Sequence, residues 1–408
     1  MRARTTSFTT QTAAPASGAL DRWTLDRIAR PLAGAKLRLQ LWDGHGLTLS
    51  SGPPVATIHI RDRRTLLRIA IRPELGFGEA YTDGRVEVQG DLVAALEQIA
   101  RALARQRTPA PVRLAPNDER RSRHNVHTHY DLGNDFYRLW LDEALLYTCA
   151  YYERPDVSLE AAQRAKLEHV CRKLRLRPGQ TVVEAGCGWG ALALYMAREY
   201  GVKVRAYNIS TNQLAWAREE ARRQGLDDRV TFIDGDYRTI DGSADAFVSV
   251  GMLEHVGPDH YDDLGRVIDR VLDPVHGRGL LHFIGRNSPM VLSEWIRRYV
   301  FPGAHPPALS EVLPGVFESR QLSILDVENL RLHYALTLKA WLERFEQHVD
   351  QIRVMFDERF VRTWRLYLAG SQAAFLAGDM QLFQVTFARP MANDLPWTRR
   401  YLYEGADA

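Results

Sequence analysis

Three glycines at alternate positions stand in the run Val182, Val183, Glu184, Ala185, Gly186, Cys187, Gly188, Trp189 and Gly190. Lacking Cβ atoms, such a turn lets the backbone come close to a ligand. The apolar residues before it and the helical pattern after it put it at the carboxyl end of a strand, where open α/β sheets bind nucleotide-type ligands. The G-x-G-x-G spacing is one residue short of the dinucleotide fingerprint, and no Lys-Ser/Thr pair is present to hold a triphosphate. The acidic Glu184 favours a cationic cofactor such as S-adenosylmethionine, contacted directly or through water. Asn208, Ile209, Ser210, Thr211, Asn212 and Gln213 follow the next predicted strand. Amide side chains there supply neutral hydrogen bonds to ribose hydroxyls, and Ser210 or Thr211 also suits a helix cap. Asp236 and Tyr237, after a third strand, suit either an adenine contact or an ordinary loop.

These residues need a frame, and from residue 157 the chain alternates helical and buried-strand signals. Ser158 with Glu160 opens a helix to Leu174, and strands read at 181–185, 203–208, 230–233, 246–250 and 279–284. Helices read at 190–200 and 210–224. This alternation predicts an α/β fold: a doubly wound, mainly parallel Rossmann-like sheet with helices on both faces. Residues 336–377 read as helical with aromatic and leucine stripes, and 382–387 as a last apolar strand. Upstream, residues 37–42, 55–60, 66–71 and 86–88 read as short strands, and Asp91 caps a helix through Leu103. The expected organisation is a flexible tail over 1–20, a small β-rich module over 21–106 closed by that helix, an Arg/Pro-rich linker over 107–124, and a ligand-binding domain over 125–408.

The 408 residues include 45% apolar and 25% charged types, a globular composition that excludes collagenous and disordered classes. The longest nearly uncharged apolar stretch, near 191–197, is far short of the roughly eighteen residues a membrane span needs, and residues 1–20 lack the apolar core of a secretory signal. The three cysteines, Cys149, Cys171 and Cys187, fit neither a disulfide framework nor a zinc site, which suits a reducing, cytoplasmic setting. A net charge of +3 makes no case for nucleic acid. Locally, Arg101, Arg105, Arg107, Arg113, Arg120, Arg121 and Arg123 face only Asp118 and Glu119. Such a run suits a solvated linker or transient contact with anionic headgroups at a membrane surface.

Seven ordered blocks (NVHTHYDLGNDFYRLWLDEALLYTCAYY over 125–152, then EAGCGWG, YNISTNQ, GDYR, VGMLEHVG, LLHFIG and YVFPGAHP) resemble the cyclopropane fatty acid synthases, including the mycolic acid cyclopropane synthases, over roughly residues 125–390. The resemblance implies helical lipid-pocket insertions on the methyltransferase sheet. It also implies methylene transfer from S-adenosylmethionine to the cis double bond of an unsaturated acyl chain in a phospholipid, with a bound bicarbonate ion as base. Its bicarbonate ligands fall on Cys149, Glu254, His282, Ile284 and Tyr334. Its cofactor residues fall on Tyr147 and Thr148, the turn from Val182 to Gly190, the stretch from Asn208 to Gln213, and Asp236 with Tyr237. The residues themselves also suit plainer roles: His282 a satisfied strand-end histidine, Tyr334 a core aromatic, Cys149 a small buried residue.

Two departures stand out: Glu184 takes the place of the family's more common Asp, and Ser371 falls where many members carry a cysteine. A lipid tail needs an apolar tunnel, for which Trp341, Phe345, Phe356, Phe360, Trp364, Tyr367 and Phe375 are candidates, unless they simply pack between helices. The same scaffold could yield methylene- or methyl-branched chains. A lipid-binding protein without turnover and a small-molecule methyltransferase are readings of other classes. Peripheral association with the inner membrane face and a homodimer are further expectations.

Overall fold

The computed structural model describes residues 16–104 and 132–403, which fall into two compact units on either side of the intervening stretch. The linker and all of the arginine run but Arg101 lie outside the described residues, as do residues 125–131.

The smaller unit runs α1 (Ala19–Ala29), β1 (Leu37–Leu41), β2 (Gly46–Thr48), β3 (Ala56–Ile60), α2 (Arg63–Ile71), α3 (Pro73–Thr82), β4 (Val86–Gly90) and α4 (Leu92–Ala104). Its sheet has the order β2-β1-β3-β4, with β1 and β3 parallel and the outer pairs antiparallel. Alternate residues of β1 and β3 are buried, as expected when one face of a sheet meets the core. Residues 66–71, read from sequence as a strand, belong instead to α2. Asp62 caps this helix by accepting from the Thr65 N–H at 2.9 Å, and the buried Leu66 and Ile69 are three residues apart, a helical rather than a strand period. Pro73 opens α3, where its missing N–H costs nothing. Residues 17–20, read as tail, are structured: the Ser17 N–H donates to Asp43 at 2.7 Å, and α1 begins at Ala19.

The larger unit contains α5 (Leu159–Leu174), β5 (Thr181–Ala185), α6 (Ala191–Tyr200), β6 (Lys203–Asn208), α7 (Thr211–Gln224), β7 (Val230–Asp234), β8 (Ala246–Val250), α8 (Tyr261–Val271), β9 (Arg278–Gly285), β10 (Ser323–Asn329), α9 (Arg331–Gln347), α10 (Val349–Met355), α11 (Glu358–Ala377) and β11 (Gln381–Ala388). The seven strands lie in the order β10-β11-β9-β8-β5-β6-β7. The five from β9 to β7 are parallel, and β11 runs antiparallel to both its neighbours. This is the doubly wound, mainly parallel sheet expected from the alternating pattern. Its order reverses between β5 and β8, so the crevice for a ligand opens at their carboxyl ends.

The sheet is covered on both sides. Val182, Val204 and Val248 pack with Leu192, Met196 and Leu214 on one face, while Val183, Phe247 and Leu281 pack with Leu264 and Ile268 on the other. Each fully buried side chain of this kind stabilises by about 1.5–3 kcal/mol, which fixes the strands whose ends carry the site. The edge strand β10 escaped the sequence reading because its face alternates charged residues with half-exposed Ile324 and Val327, as a protected edge does. Among the described residues, no helix is long and apolar enough to cross a membrane.

Candidate active site

The glycine turn leaves β5 with Gly186, Gly188 and Gly190 all at positive φ, between +55° and +86°. A Cβ on Gly190 would lie 2.6 Å from the Phe232 ring and one on Gly186 3.0 Å from Met252, whereas one on Gly188 would meet nothing within 4 Å. Two of the glycines are therefore demanded by packing, and the third borders open space. The turn is pinned to β6 by the Gly186 and Cys187 N–H groups, which donate to the Tyr207 carbonyl at 2.9 and 3.0 Å.

A cavity opens over this turn, lined by Tyr147, Thr148, Glu184, Gly186, Cys187, Gly188, Trp189, Asn208, Ile209, Gln213, Asp236 and Tyr237 from among the sequence candidates. The remaining candidates stand behind it. Val182, Val183 and Ala185 point into the two cores, Gly190 packs on Phe232, and Ser210 caps α7 by accepting from the Gln213 N–H, with Thr211 and Asn212 in its first turn. Asn208 ties the floor together, its Nδ2 donating to the Gly188 carbonyl at 3.2 Å and to Gln213 Oε1 at 2.8 Å. The Asp236 carboxylate is held by the Arg238 guanidinium at 3.0 Å, and the Tyr237 hydroxyl is buried without a partner.

Several lining residues were not among the cofactor candidates. Gly251, Met252 and His255 follow β8, and Lys166 comes from α5, where its periodicity reads only as helix. Lys166 is 1% exposed, and its Nζ donates to Thr148 Oγ1 at 2.9 Å. One turn earlier, Gln163 Nε2 donates to the Leu146 and Thr148 carbonyls at 3.1 and 3.0 Å, so α5 fixes the 146–148 strap from below. Burial pulls the Lys166 ammonium down to about 8, against the pull of Asp142, Cys149 and Glu184. Burial likewise pushes Glu184 up to about 8, with the Lys166 charge opposing it.

Next to the cavity lies a second polar group. Glu254 and His282 are both almost fully buried. Glu254 Oε1 accepts the Ile284 N–H at 2.5 Å, while its Oε2 has no partner. Burial raises this carboxyl to about 7, partly offset by the Ile284 N–H. Burial and the nearby Lys166 and Lys173 charges hold His282 well below its ordinary range, so the ring is neutral. The Gln384 amide on β11 donates to its Nδ1 at 3.0 Å, leaving Nε2 to carry the ring proton with no partner. The Gly251 N–H donates to the His282 carbonyl at 2.8 Å, joining this group to the cavity wall.

Cys149 is buried beside α9: its Sγ reaches the Ala150 carbonyl, and the Ala150 N–H donates to Thr337 Oγ1 at 3.0 Å. Burial pushes the thiol far up, so it is no nucleophile. Tyr334, in the first turn of α9, is buried with its ring against Phe375 and Trp341.

The aromatic stripes of α9 and α11 converge on the same strap. Trp341 meets Trp140 and Tyr147 at centroid distances of 5.6 and 5.3 Å, Trp364 meets Phe136 at 5.1 Å, and the Tyr147 and Tyr367 hydroxyls lie 2.7 Å apart. These rings pack edge-to-face or tilted on one another between the helices, and of them Tyr147 lines the cavity.

The family model described as mycolic acid cyclopropane synthetase matches residues 117–385, and one described as a domain of unknown function matches 25–107. A Pseudomonas putida protein named "Probable fatty acid methyltransferase" is 38% identical over 383 residues, covering 90% of this chain and 96% of its own length. The cyclopropane-fatty-acyl-phospholipid synthase of Escherichia coli (strain K12) is 37% identical over 361 residues, covering 86% of this chain and 92% of its own. Among solved structures, a mycolic acid cyclopropane synthase complexed with SAH and CTAB is 30% identical with a TM-score of 0.62, covering 65% of this chain and 98% of that one.

Proposed function

Because the chain belongs to the mycolic acid cyclopropane synthetase family, and with it to the S-adenosylmethionine-dependent methyltransferases of unsaturated lipids, we propose that it acts on phospholipid and makes a cyclopropane ring with bicarbonate as base. The observation that carries this reading is the pair of buried, unpartnered polar atoms beside the cofactor cavity, His282 Nε2 and Glu254 Oε2. A small anion bearing one hydroxyl fits such a pair: the imidazole N–H donates to its oxyanion, and the carboxylate accepts its hydroxyl. Tyr334 supplies a second donor. The Ile284 N–H is committed to Glu254, so Ile284 acts on the anion by aiming that carboxylate. When bound, bicarbonate supplies the base that removes a proton from the transferred carbon.

The chemistry asks little covalent work of the protein. The π electrons of the alkene bond to the sulfonium methyl carbon as its C–S bond breaks and the electron pair stays on sulfur. Loss of a proton from that carbon closes the ring. The chain's residues align the two reactants, keep water out, and offer the transient cation the Tyr147 and Trp189 rings of the cavity wall rather than a nucleophile that would trap it. Substrate in a bilayer calls for transient contact at the inner membrane face, a role that suits the arginines between 101 and 123.

The Pseudomonas putida relative's name favours a second reading, in which a hydride shift to the cation followed by proton loss from the new methyl leaves a methylene branch, or proton loss from a chain carbon leaves a methyl branch beside a double bond. Incubating the protein with vesicles of cis-unsaturated phospholipid, methyl-labelled S-adenosylmethionine and bicarbonate separates the two. The expected product gains about 14 mass units per acyl chain, the mass of one CH2 from the cosubstrate, and resists mild hydrogenation. Hydrogen uptake by the product assigns the branched reading, and absence of labelled lipid overturns both.

A further inference from the structure

Glu184 has an unpartnered buried oxygen, Oε2, on the wall of the cofactor cavity. Lys166 lines the same cavity from α5, inaccessible to water, and among the described contacts its ammonium has one hydrogen-bond acceptor, Thr148 Oγ1. A buried cation with donors to spare and a buried carboxylate with an acceptor to spare face one ligand space. We propose that Lys166 is a positioning residue that sets the charge state of this cavity, holding the Thr148 strap and favouring the ionised form of Glu184 that receives the ammonium group of S-adenosylmethionine. The inference rests on S-adenosylmethionine as the cavity's ligand and is independent of what becomes of the acyl chain.

The electrostatics follow from where the groups stand. Burial drives Glu184 toward its neutral form, and the nearby ammonium is the charge that opposes this. The other groups facing Lys166 are Asp142 on the preceding loop, the Cys149 thiol on the strap and the His282 ring on β9. Burial raises Asp142 as well, His282 is neutral, and the thiol is un-ionised, so Lys166 is the cation available to Glu184 before ligand arrives. The nearest groups felt by Glu184 besides Lys166 are the N–H of Ala193 and the thiols of Cys171 and Cys187, neither of which brings positive charge. A ligand ammonium then acts as a second cation: it favours ionised Glu184, and below about pH 8 its binding expels a proton.

Calorimetric titration with S-adenosylhomocysteine across pH, in buffers of different ionisation enthalpy, reads both affinity and proton release without requiring turnover. The unaltered protein is expected to bind more tightly as pH rises toward 8 and to release a proton below that point. Glu184→Gln abolishes both the rise and the release. Lys166→Met displaces the rise toward alkaline pH by about one unit, so that binding at pH 7 weakens about tenfold while most of it returns at higher pH. Should Lys166→Met fail to fold, Lys166→Gln retains an N–H donor and carries the same expectation, whereas Lys166→Arg retains the charge and leaves the rise in place. Weakening that is uniform across pH, or a profile unmoved in the charge-removing variants, overturns the proposal. Either result would leave the lipid chemistry untouched, because binding and methyl transfer are read separately.

Discussion

Glu254, which we propose accepts the anion's hydroxyl, carries a buried carboxyl with one oxygen on the Ile284 N–H and the other without a partner. Burial raises its folded-state value to about 7, while a Glu in the unfolded chain titrates near 4.5. A raised group of this kind contributes stability that is complete below pH 4.5 and is lost as pH climbs through 7. Glu254→Gln is therefore expected to gain on the order of 2 kcal/mol over the unaltered protein at pH 8, shrinking toward pH 5, as read by thermal melts. On the proposed mechanism its activity should fall by two orders of magnitude or more at every pH, because the amide oxygen stays on the Ile284 N–H and turns a donating NH2 toward the anion's hydroxyl. An unchanged turnover rate would remove Glu254 from the mechanism. At this scale the sequence was unevenly legible. The glycine turn announces itself because positive φ admits few other residues, and Glu184 is conspicuous beside it. Lys166 and Gln384 do not, since a lysine on a helix reads as solvated and a glutamine in an apolar strand reads as incidental. Only the fold puts the one in the cavity wall and the other against the His282 ring.

Elements were easier to read wherever both faces of the sheet are covered. Residues 181–185 are built around Val182 and Val183 and residues 203–208 around Val204, Ala206 and Tyr207, and the structure places strands there with those bounds. The failures came where burial is one-sided: 66–71 folds as a helix because the Asp62 cap outweighs its apolar content, and β10 is half solvent-facing. The turn joining β5 to α6 provides a test of how an element, rather than a residue, builds the cavity. Gly190→Ala must accommodate a methyl 2.6 Å from Phe232 as well as a positive φ, and is expected to lose about 2–4 kcal/mol of stability. Gly188→Ala meets no atom and should lose about 1 kcal/mol from its φ of +55°, yet weaken S-adenosylhomocysteine binding more than its melting point suggests. Equal thermal losses in the two variants would contradict the view that one glycine serves packing and the other the ligand.

At the scale of the whole molecule, the two units carry their chemistry unequally. All three cysteines lie in the larger one, each buried and unpaired, and the smaller unit has a core of its own around Leu25, Leu37, Ile58 and Leu66. Thiol modification in rising urea therefore reports the opening of the larger unit alone. S-adenosylhomocysteine at a hundredfold over its dissociation constant should raise that unit's stability by about 2.7 kcal/mol and shift the modification midpoint accordingly. A midpoint indifferent to ligand would separate the cavity from the unit's cooperative fold. The second, smaller sheet in the amino-terminal region was anticipated from the change in pattern along the chain, whereas the helices around it were under-read because their apolar faces are short. The place of β11 between β9 and β10 has a further consequence for how the protein is made. Of the eleven strands among the described residues it is the last to leave the ribosome, yet it occupies an inner position and carries the Gln384 that donates to His282 Nδ1. Until that strand has emerged, β9 is left as an open edge, β10 has no partner, and the His282 ring lacks its Gln384 contact beside a nearly complete cavity. Synthesis order thus makes β9 and β10 the segments most in need of chaperoning while the chain is still growing.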